Sequence, residues 1–346
     1  MKLLLFVLAT TILALSFSYH DPEKPHRSAD GFRNNYPHAQ KGGFWRWKWE
    51  QLRDGLPKDP EQGYRFETAK PRLAANPSVT WVGHATVLLR VGGLSVLTDP
   101  HFSERASPVS FAGPKRVVPP VPALSELPHI DAVVVSHNHY DHLDHDSVRR
   151  LAGQAGGSPR FFVPLGLKDW FTRRGVTDVI EFNWWESLEF KGLEVHLVPV
   201  QHWSKRTLSD TNRSLWGGWV LRHPELSFFF AGDTGYSKDF QDIRARFGGF
   251  DLAAIPIGAY APRWFMQVMH IDPAEAVQVH KDVGARRSLA IHWGTFANLT
   301  DEILYEPPQR LAEERDKAGL TEDDFFVLRH GETRMLTDRR SPRPAS

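Results

Sequence analysis

Residues 130–146, IDAVVVSHNHYDHLDHD, pass from an apolar run straight into SHNHYDHLDHD (136–146), where four histidines, three aspartates and an asparagine share eleven positions. The apolar part reads as a buried strand, and the titratable part as the loop at its end. His137, His139, Asp141 and His142 form the spacing H-x-H-x-D-H. In an extended segment residues two apart project to the same side, so His137 and His139 can reach one metal ion while the turn swings Asp141 and His142 toward a second. Imidazole and carboxylate donors without thiolate suit zinc first, with iron or manganese as the alternatives.

A site for two ions needs further donors, and the chain offers them where other apolar runs end. LEVHLVPVQH closes on His202, LSFFFAGDTGY turns at Asp233, and SLAIHWGTF carries His292 just past its apolar part. Any one of these histidines alone would more often be a structural residue. Together with the loop at 137–142 they read as ligands gathered at one edge of a rigid sheet. Asp233, in G-D-T-G, suits a carboxylate shared by two cations, against the competing reading of a plain Asx-turn. His84 in GHAT and Asp99 in LTDP stand after apolar strands, where they can orient ligands or merely shape turns. Lys115, Arg116, Lys205 and Arg206 are cations available to an anionic head group, although most such pairs are simply solvated.

The chain has 346 residues, 42 basic against 41 acidic, and no cysteine. The near-zero balance removes any general electrostatic case for a nucleic-acid partner. The missing thiols exclude disulfides, thiolate metal sites and a lipoprotein anchor. Residues 1–18 begin with one lysine and contain an apolar run from Leu3 to Phe17, short of the roughly 20 residues a bilayer span needs. They read as a cleaved export signal, with a retained N-terminal anchor as the alternative, which places the protein outside the cytoplasm or at a membrane. Residues 19–75 show no trusted period and read as an extended segment. Within it, GGFWRWKWEQL interleaves aromatics with Arg46 and Lys48, suited either to a membrane interface or to packing indoles on the main domain. Residues 76–338 form the main domain and 339–346 a tail. Strand patterns over VTWVGH, ATVLLRV, LSVLTDP and IDAVVV are followed by strands alternating with helices. One helix opens with Asp272 as N-cap and Pro273 and stops at Gly284; another, PPQRLAEERDKAG, stops at Gly319. The expected class is a layered α/β (α+β) domain.

Ten blocks, in order, carry a closer likeness: VTWVGHATV (79–87), LTDPHFSERASP (97–108), GPKR (113–116), ELPHIDAVVVSHNHYDHLDHDSV (126–148), VPLGLKDW (163–170), QHWSKRTLSD (201–210), FFFAGDTGY (228–236), FDLAAIPIGAYAPRWFM (250–266), HIDPAEAVQVH (270–280) and AIHWGTF (290–296). From Val79 to Arg334 the chain resembles the N-acylphosphatidylethanolamine-hydrolysing phospholipase D family of the metallo-β-lactamase superfamily. The resemblance implies a four-layer αββα sandwich, two zinc ions per chain, and homodimers whose groove accepts a membrane phospholipid. His137, His139 and His202 would hold one zinc, Asp141, His142 and His292 the other, with Asp233 bridging. Asp141, Asp233 and His270 are then the candidate catalytic residues, His270 lying beside the active site at a helix first turn suited to a phosphate. The implied reaction is hydrolysis of N-acylphosphatidylethanolamine to N-acylethanolamine and phosphatidic acid by a hydroxide shared between the metals. The likeness weakens over residues 19–75, and the export-like N-terminus differs from what intracellular members show. The alternatives are a lactonase or phosphodiesterase acting on a soluble substrate, a zinc carrier, and di-iron redox chemistry with a flavin partner.

Overall fold

The computed structural model describes residues 26–28, 31–36, 43–56 and 59–336. The export or anchor segment at 1–18 and the tail at 339–346 lie outside the described residues. Fourteen strands matter for the site. The first six are β1 (Ser78–Gly83), β2 (Thr86–Val91), β3 (Leu94–Thr98), β4 (Ala132–Val134), β5 (Arg160–Pro164) and β6 (Val179–Phe182). The rest are β7 (Ser187–Phe190), β8 (Leu193–Val198), β9 (Gly218–His223), β10 (Leu226–Phe230), β11 (Leu252–Pro256), β12 (Ser288–Ile291), β13 (Phe325–Phe326) and β14 (Thr333–Met335).

They build two seven-stranded sheets, ordered β14-β1-β2-β3-β4-β5-β6 and β7-β8-β9-β10-β11-β12-β13. Each sheet has three antiparallel pairings and then three parallel ones. The last strand, β14, returns to the first sheet and pairs Thr333 with Thr80.

Strand residues sort by period two between two apolar layers. Val79, Trp81, Val87, Leu89, Val96, Val134 and Phe162 join the core between the sheets, where Phe182 meets Trp219 and Phe162 meets Phe190. Their neighbours Leu88, Leu97, Val133, Phe161 and Val163 face outward and are covered by Val148 and Leu151 of the helix His145–Ala152 and Phe171 of the helix Lys168–Thr172. Burial on both faces explains why these strands read as nearly unbroken apolar runs.

The helices are α1 (Phe44–Asp54), α2 (His145–Ala152), α3 (Lys168–Thr172), α4 (Asp239–Phe247), α5 (Arg263–Met266), α6 (Pro273–Asp282) and α7 (Glu306–Lys317). Phe240 and Ile243 of α4, Ala276 and Val279 of α6, and Leu311 of α7 join the apolar core that contains the second sheet. The architecture is therefore helix, sheet, sheet, helix, the expected αββα sandwich.

Residues 19–75 are not extended throughout. The aromatic–basic stretch forms α1, because Trp47 buries its ring against Phe265, Met266 and Met269 and donates its indole N–H to Asp301 at 2.9 Å. Tertiary packing overrides a weak local pattern here. The packing reading holds for Trp47, which is buried, while Trp45, Trp49 and Leu52 are 82, 62 and 77% exposed.

Candidate metal centre

The parallel strands β3, β4, β10, β11 and β12 deliver their carboxyl ends to one edge of the sandwich. Asp99 follows β3, residues 136–142 follow β4, Asp233 follows β10, Gly258 follows β11 and His292 follows β12. His84 sits in the turn between β1 and β2, and His202 lies four residues past β8. The approach is close enough to exclude side chains. A Cβ on Gly232 would stand 2.6 Å from the Cβ of Ser136, and one on Gly258 would stand 2.3 Å from the carbonyl oxygen of His292. His84, Asp99 and His292 take the left-handed backbone region, with φ of 53°, 34° and 61°. Such strain gathers at functional sites and persists because the surroundings over-determine it.

The structure brings together all seven residues expected as ligands, in two adjacent sets. One ligand atom from each of His137, His139, His202 and Asp233 lies within 4.8 Å of the others, and the same holds for His84, Asp141, His142 and His292. In the first set the Nε2 atoms of His137 and His202 approach His139 Nδ1 to 2.8 and 3.3 Å. In the second, Asp141 Oδ2 lies 3.4 Å from the Nε2 atoms of both His142 and His292. Asp233 spans the two: its carboxylate is 3.0 Å from His142 and from His292, and 3.9 Å from His137 and from His202.

Whether these groups fit a cation is decided by where their protons must be. Met269 O, 3.0 Å from His202 Nδ1, can only accept, so that nitrogen carries the proton and Nε2 presents a lone pair. Asp99 acts likewise on His142: its Oδ2 accepts from Nδ1 at 2.7 Å, which turns the Nε2 lone pair toward His292 and Asp233. Lone pairs facing lone pairs and carboxylate oxygens in a buried place require positive charge. A proton is one carrier of that charge: burial works to lower the pKa values of His142 and His292, but Asp233 and Asp141 prevail, holding His142 well above the usual histidine range and His292 up to about 9, and a cation would take the place of these protons. The donor set is of the kind that holds divalent cations, and Asp233 faces both groups of donors.

The supporting groups are in place. Asp99 also accepts from the Ser136 backbone N–H at 2.6 Å and the Ser136 hydroxyl at 2.5 Å, and that hydroxyl lies 2.9 Å from His137 Nδ1. His84 Nε2 stands 3.0 Å from Asp141 Oδ2, and its ring lies 4.0 Å from that of His292. His84 and Asp99 are therefore placed to orient ligands as well as to shape their turns. Ser136 was not anticipated; its only trace in the sequence is its place between strand and ligands.

His270 lies at the same edge, its Nδ1 3.9 Å from Asp233 Oδ2 and without a hydrogen-bond partner among the described residues. Burial lowers it to about 4, so the ring is neutral at pH 7. It does not cap α6. Asp272 and Glu275 form a capping box that occupies each other's backbone N–H, and Arg263 binds Glu275 at 2.8 Å and the His270 carbonyl at 2.8 Å. The N–H groups of Asp272 and Glu275 are thereby engaged, and the His270 ring is the group of this turn that lies beside Asp233.

Three of the four cations expected to be available to a head group are engaged within the protein. Arg116 is buried and donates to the carbonyls of His101 and Ser103, and Lys115 pairs with Glu104 at 2.9 Å. Arg206 donates to the carbonyls of Asn138 and Leu143.

Residues 95–293 match the model of the β-lactamase superfamily domain. The N-acyl-phosphatidylethanolamine-hydrolyzing phospholipase D 1 of Caenorhabditis elegans is 47% identical over 271 residues, 75% of this chain and 76% of that one. The chain belongs to the N-acylphosphatidylethanolamine-hydrolysing phospholipase D family. The mitochondrial family member of Saccharomyces cerevisiae is 41% identical over 67% of this chain, which spans about half of the yeast protein's length. Igni18, a metallo hydrolase from Ignicoccus hospitalis, superposes with a TM-score of 0.56 over 74% of this chain and 96% of its own; at 22% identity it speaks for the fold. With this kinship and these clusters, the phospholipase D family member described here is a metal-dependent hydrolase.

Proposed function

We propose that the protein is a zinc-dependent phosphodiesterase of phospholipase D type, cleaving N-acylphosphatidylethanolamine to N-acylethanolamine and phosphatidic acid. The observation that carries this reading is the seven-residue donor set centred on Asp233, in a chain 47% identical to a relative named for that reaction. His137, His139 and His202 would hold one ion and Asp141, His142 and His292 the other. When bound, such a pair supplies a water of lowered pKa and neutralises charge on the phosphoryl oxygens. Oxygen from water bonds to phosphorus, the bond from phosphorus to the ethanolamine oxygen breaks, and the departing oxygen takes up a proton. The neutral His270 ring, beside Asp233, contacts the phosphate or takes up the proton released by the attacking water and passes it to the departing oxygen. Burial of the ligand atoms limits water near the reacting phosphorus.

A bilayer is the proposed source of substrate. Trp45, Trp49 and Leu52 are exposed on α1, which also carries Arg46, Lys48 and Arg53, a composition suited to an anionic lipid interface. Export or anchoring through residues 1–18, and assembly into homodimers, complete the proposal.

The test combines elemental analysis with release of N-acylethanolamine from N-acylphosphatidylethanolamine vesicles and with hydrolysis of soluble diesters and lactones. About two zinc per chain with chelator-sensitive release from vesicles supports the reading. Turnover of soluble substrates alone would move the enzyme to the soluble-substrate alternative, and iron in place of zinc would replace the metal assignment.

A further inference from the structure

We propose that Arg206 is a positioning residue that fastens the two ligand-bearing loops to each other. The inference rests on reading the seven donors as a metal centre. Arg206 lies four residues beyond His202, on the loop that leaves the second sheet. Its Nη1 crosses to the loop of the first sheet and donates to the carbonyl oxygens of Asn138 at 2.9 Å and Leu143 at 2.7 Å. Those two carbonyls bracket His139, Asp141 and His142.

The contact is reciprocal. Tyr140, inside the bracketed segment, donates its hydroxyl to the Arg206 carbonyl at 3.0 Å, and its ring lies 4.0 Å from the guanidinium carbon. Trp170 of α3 also packs against that guanidinium, 5.1 Å away. On its own loop the backbone N–H groups of Arg206 and Thr207 donate to Asp210 Oδ1 at 2.9 and 2.7 Å, which fixes the turn from which the side chain springs. A group so engaged is poorly placed to bind a lipid head group. It is well placed to set the distance between His202 on one loop and His139 on the other.

Groups that orient metal ligands without touching the metal typically contribute 10- to 100-fold in metal affinity. The test uses the full chain as wild type, Arg206→Ala, Arg206→Lys and Tyr140→Phe. Zinc retention is measured against a chelator series, and the melting temperature is recorded with and without zinc. Arg206→Ala is expected to retain zinc 10- to 100-fold more weakly and to show a smaller zinc-dependent rise in melting temperature. Arg206→Lys, which keeps a cation able to reach one carbonyl, should fall between, and Tyr140→Phe should weaken retention several-fold. If Arg206→Ala fails to fold, the other two variants carry the same comparison.

Equal losses of melting temperature with and without zinc, at unchanged zinc retention, would make Arg206 a plain structural residue and overturn the proposal. Unchanged retention with weaker binding to anionic vesicles would overturn it in favour of a head-group role. A wild-type chain that retains no metal would overturn the metal-centre reading, and the clamp with it.

Discussion

Replacing Asp99 by asparagine is predicted to weaken one half of the metal centre while leaving the fold nearly intact. The carboxylate accepts three hydrogen bonds: Oδ1 takes the Ser136 backbone N–H, and Oδ2 takes the Ser136 hydroxyl and His142 Nδ1. An amide has one acceptor oxygen and one donor group. If its oxygen replaces Oδ2, the NH2 faces the Ser136 N–H across 2.6 Å, two donors head to head, at a cost of about 1–3 kcal/mol. If it flips, the oxygen keeps the backbone N–H and the NH2 donates to the Ser136 hydroxyl oxygen, but it also faces His142 Nδ1. That ring must then carry its proton on Nε2, the atom aimed at Asp233 and His292. The flipped form keeps the protein bonds and charges the loss to the metal. The expected effect is a 10- to 100-fold loss of affinity, about 1.4–2.7 kcal/mol, in the set containing Asp141, His142 and His292. Cobalt titration followed by visible absorption, with chelator competition, resolves the two sets as separate binding phases. One weakened phase with an unchanged unfolding midpoint is the predicted result. Both phases within twofold of wild type would refute the reasoning, as would equal weakening of the two.

Three further outcomes follow from the geometry. His270→Ala should keep both metals by elemental analysis yet lose 10²- to 10⁴-fold in turnover, the range of a lost proton-transfer group; metal loss would make His270 a ligand instead. Gly258→Ala, whose Cβ would press on the His292 carbonyl, should cost about 1–3 kcal/mol in denaturant unfolding and lower the metal content with it. His330 is pulled to about 3 by burial, with Arg116 adding to the effect, so the unfolded chain, near 6.5, takes up the proton first and stability is lost as pH falls below about 6.5. In chelator, wild type should therefore lose about 1 kcal/mol more than His330→Phe between pH 6.5 and 5.5, and equal pH slopes would contradict this.

Much of the site was legible because its chemistry is tied to strand ends. The two-residue spacing of His137 and His139 places both rings on one side, and His202, Asp233 and His292 each stand just beyond an apolar run, where a buried strand reaches the sheet edge. Asp99 and His84 were visible as polar residues in short turns, although their left-handed backbones and the proton assignment that Asp99 imposes on His142 are properties of the fold. The cations were read less well. Arg116 and Arg206 look like solvated pairs in G-P-K-R and S-K-R-T, since nothing local says that carbonyls from distant loops will converge on them. Helix α1 was hidden for a similar reason: its order comes from Trp47 meeting α5 and Asp301, more than 200 residues away in the chain.

The central claim, two cations sharing Asp233, is tested most directly by Asp233→Asn set beside wild type in one experiment. Metal content and release of N-acylethanolamine from vesicles are measured on the same preparations. The account predicts about two zinc per wild-type chain with chelator-sensitive release, and loss of both zinc and turnover in the variant. A variant that keeps two metals and near-normal turnover would contradict it.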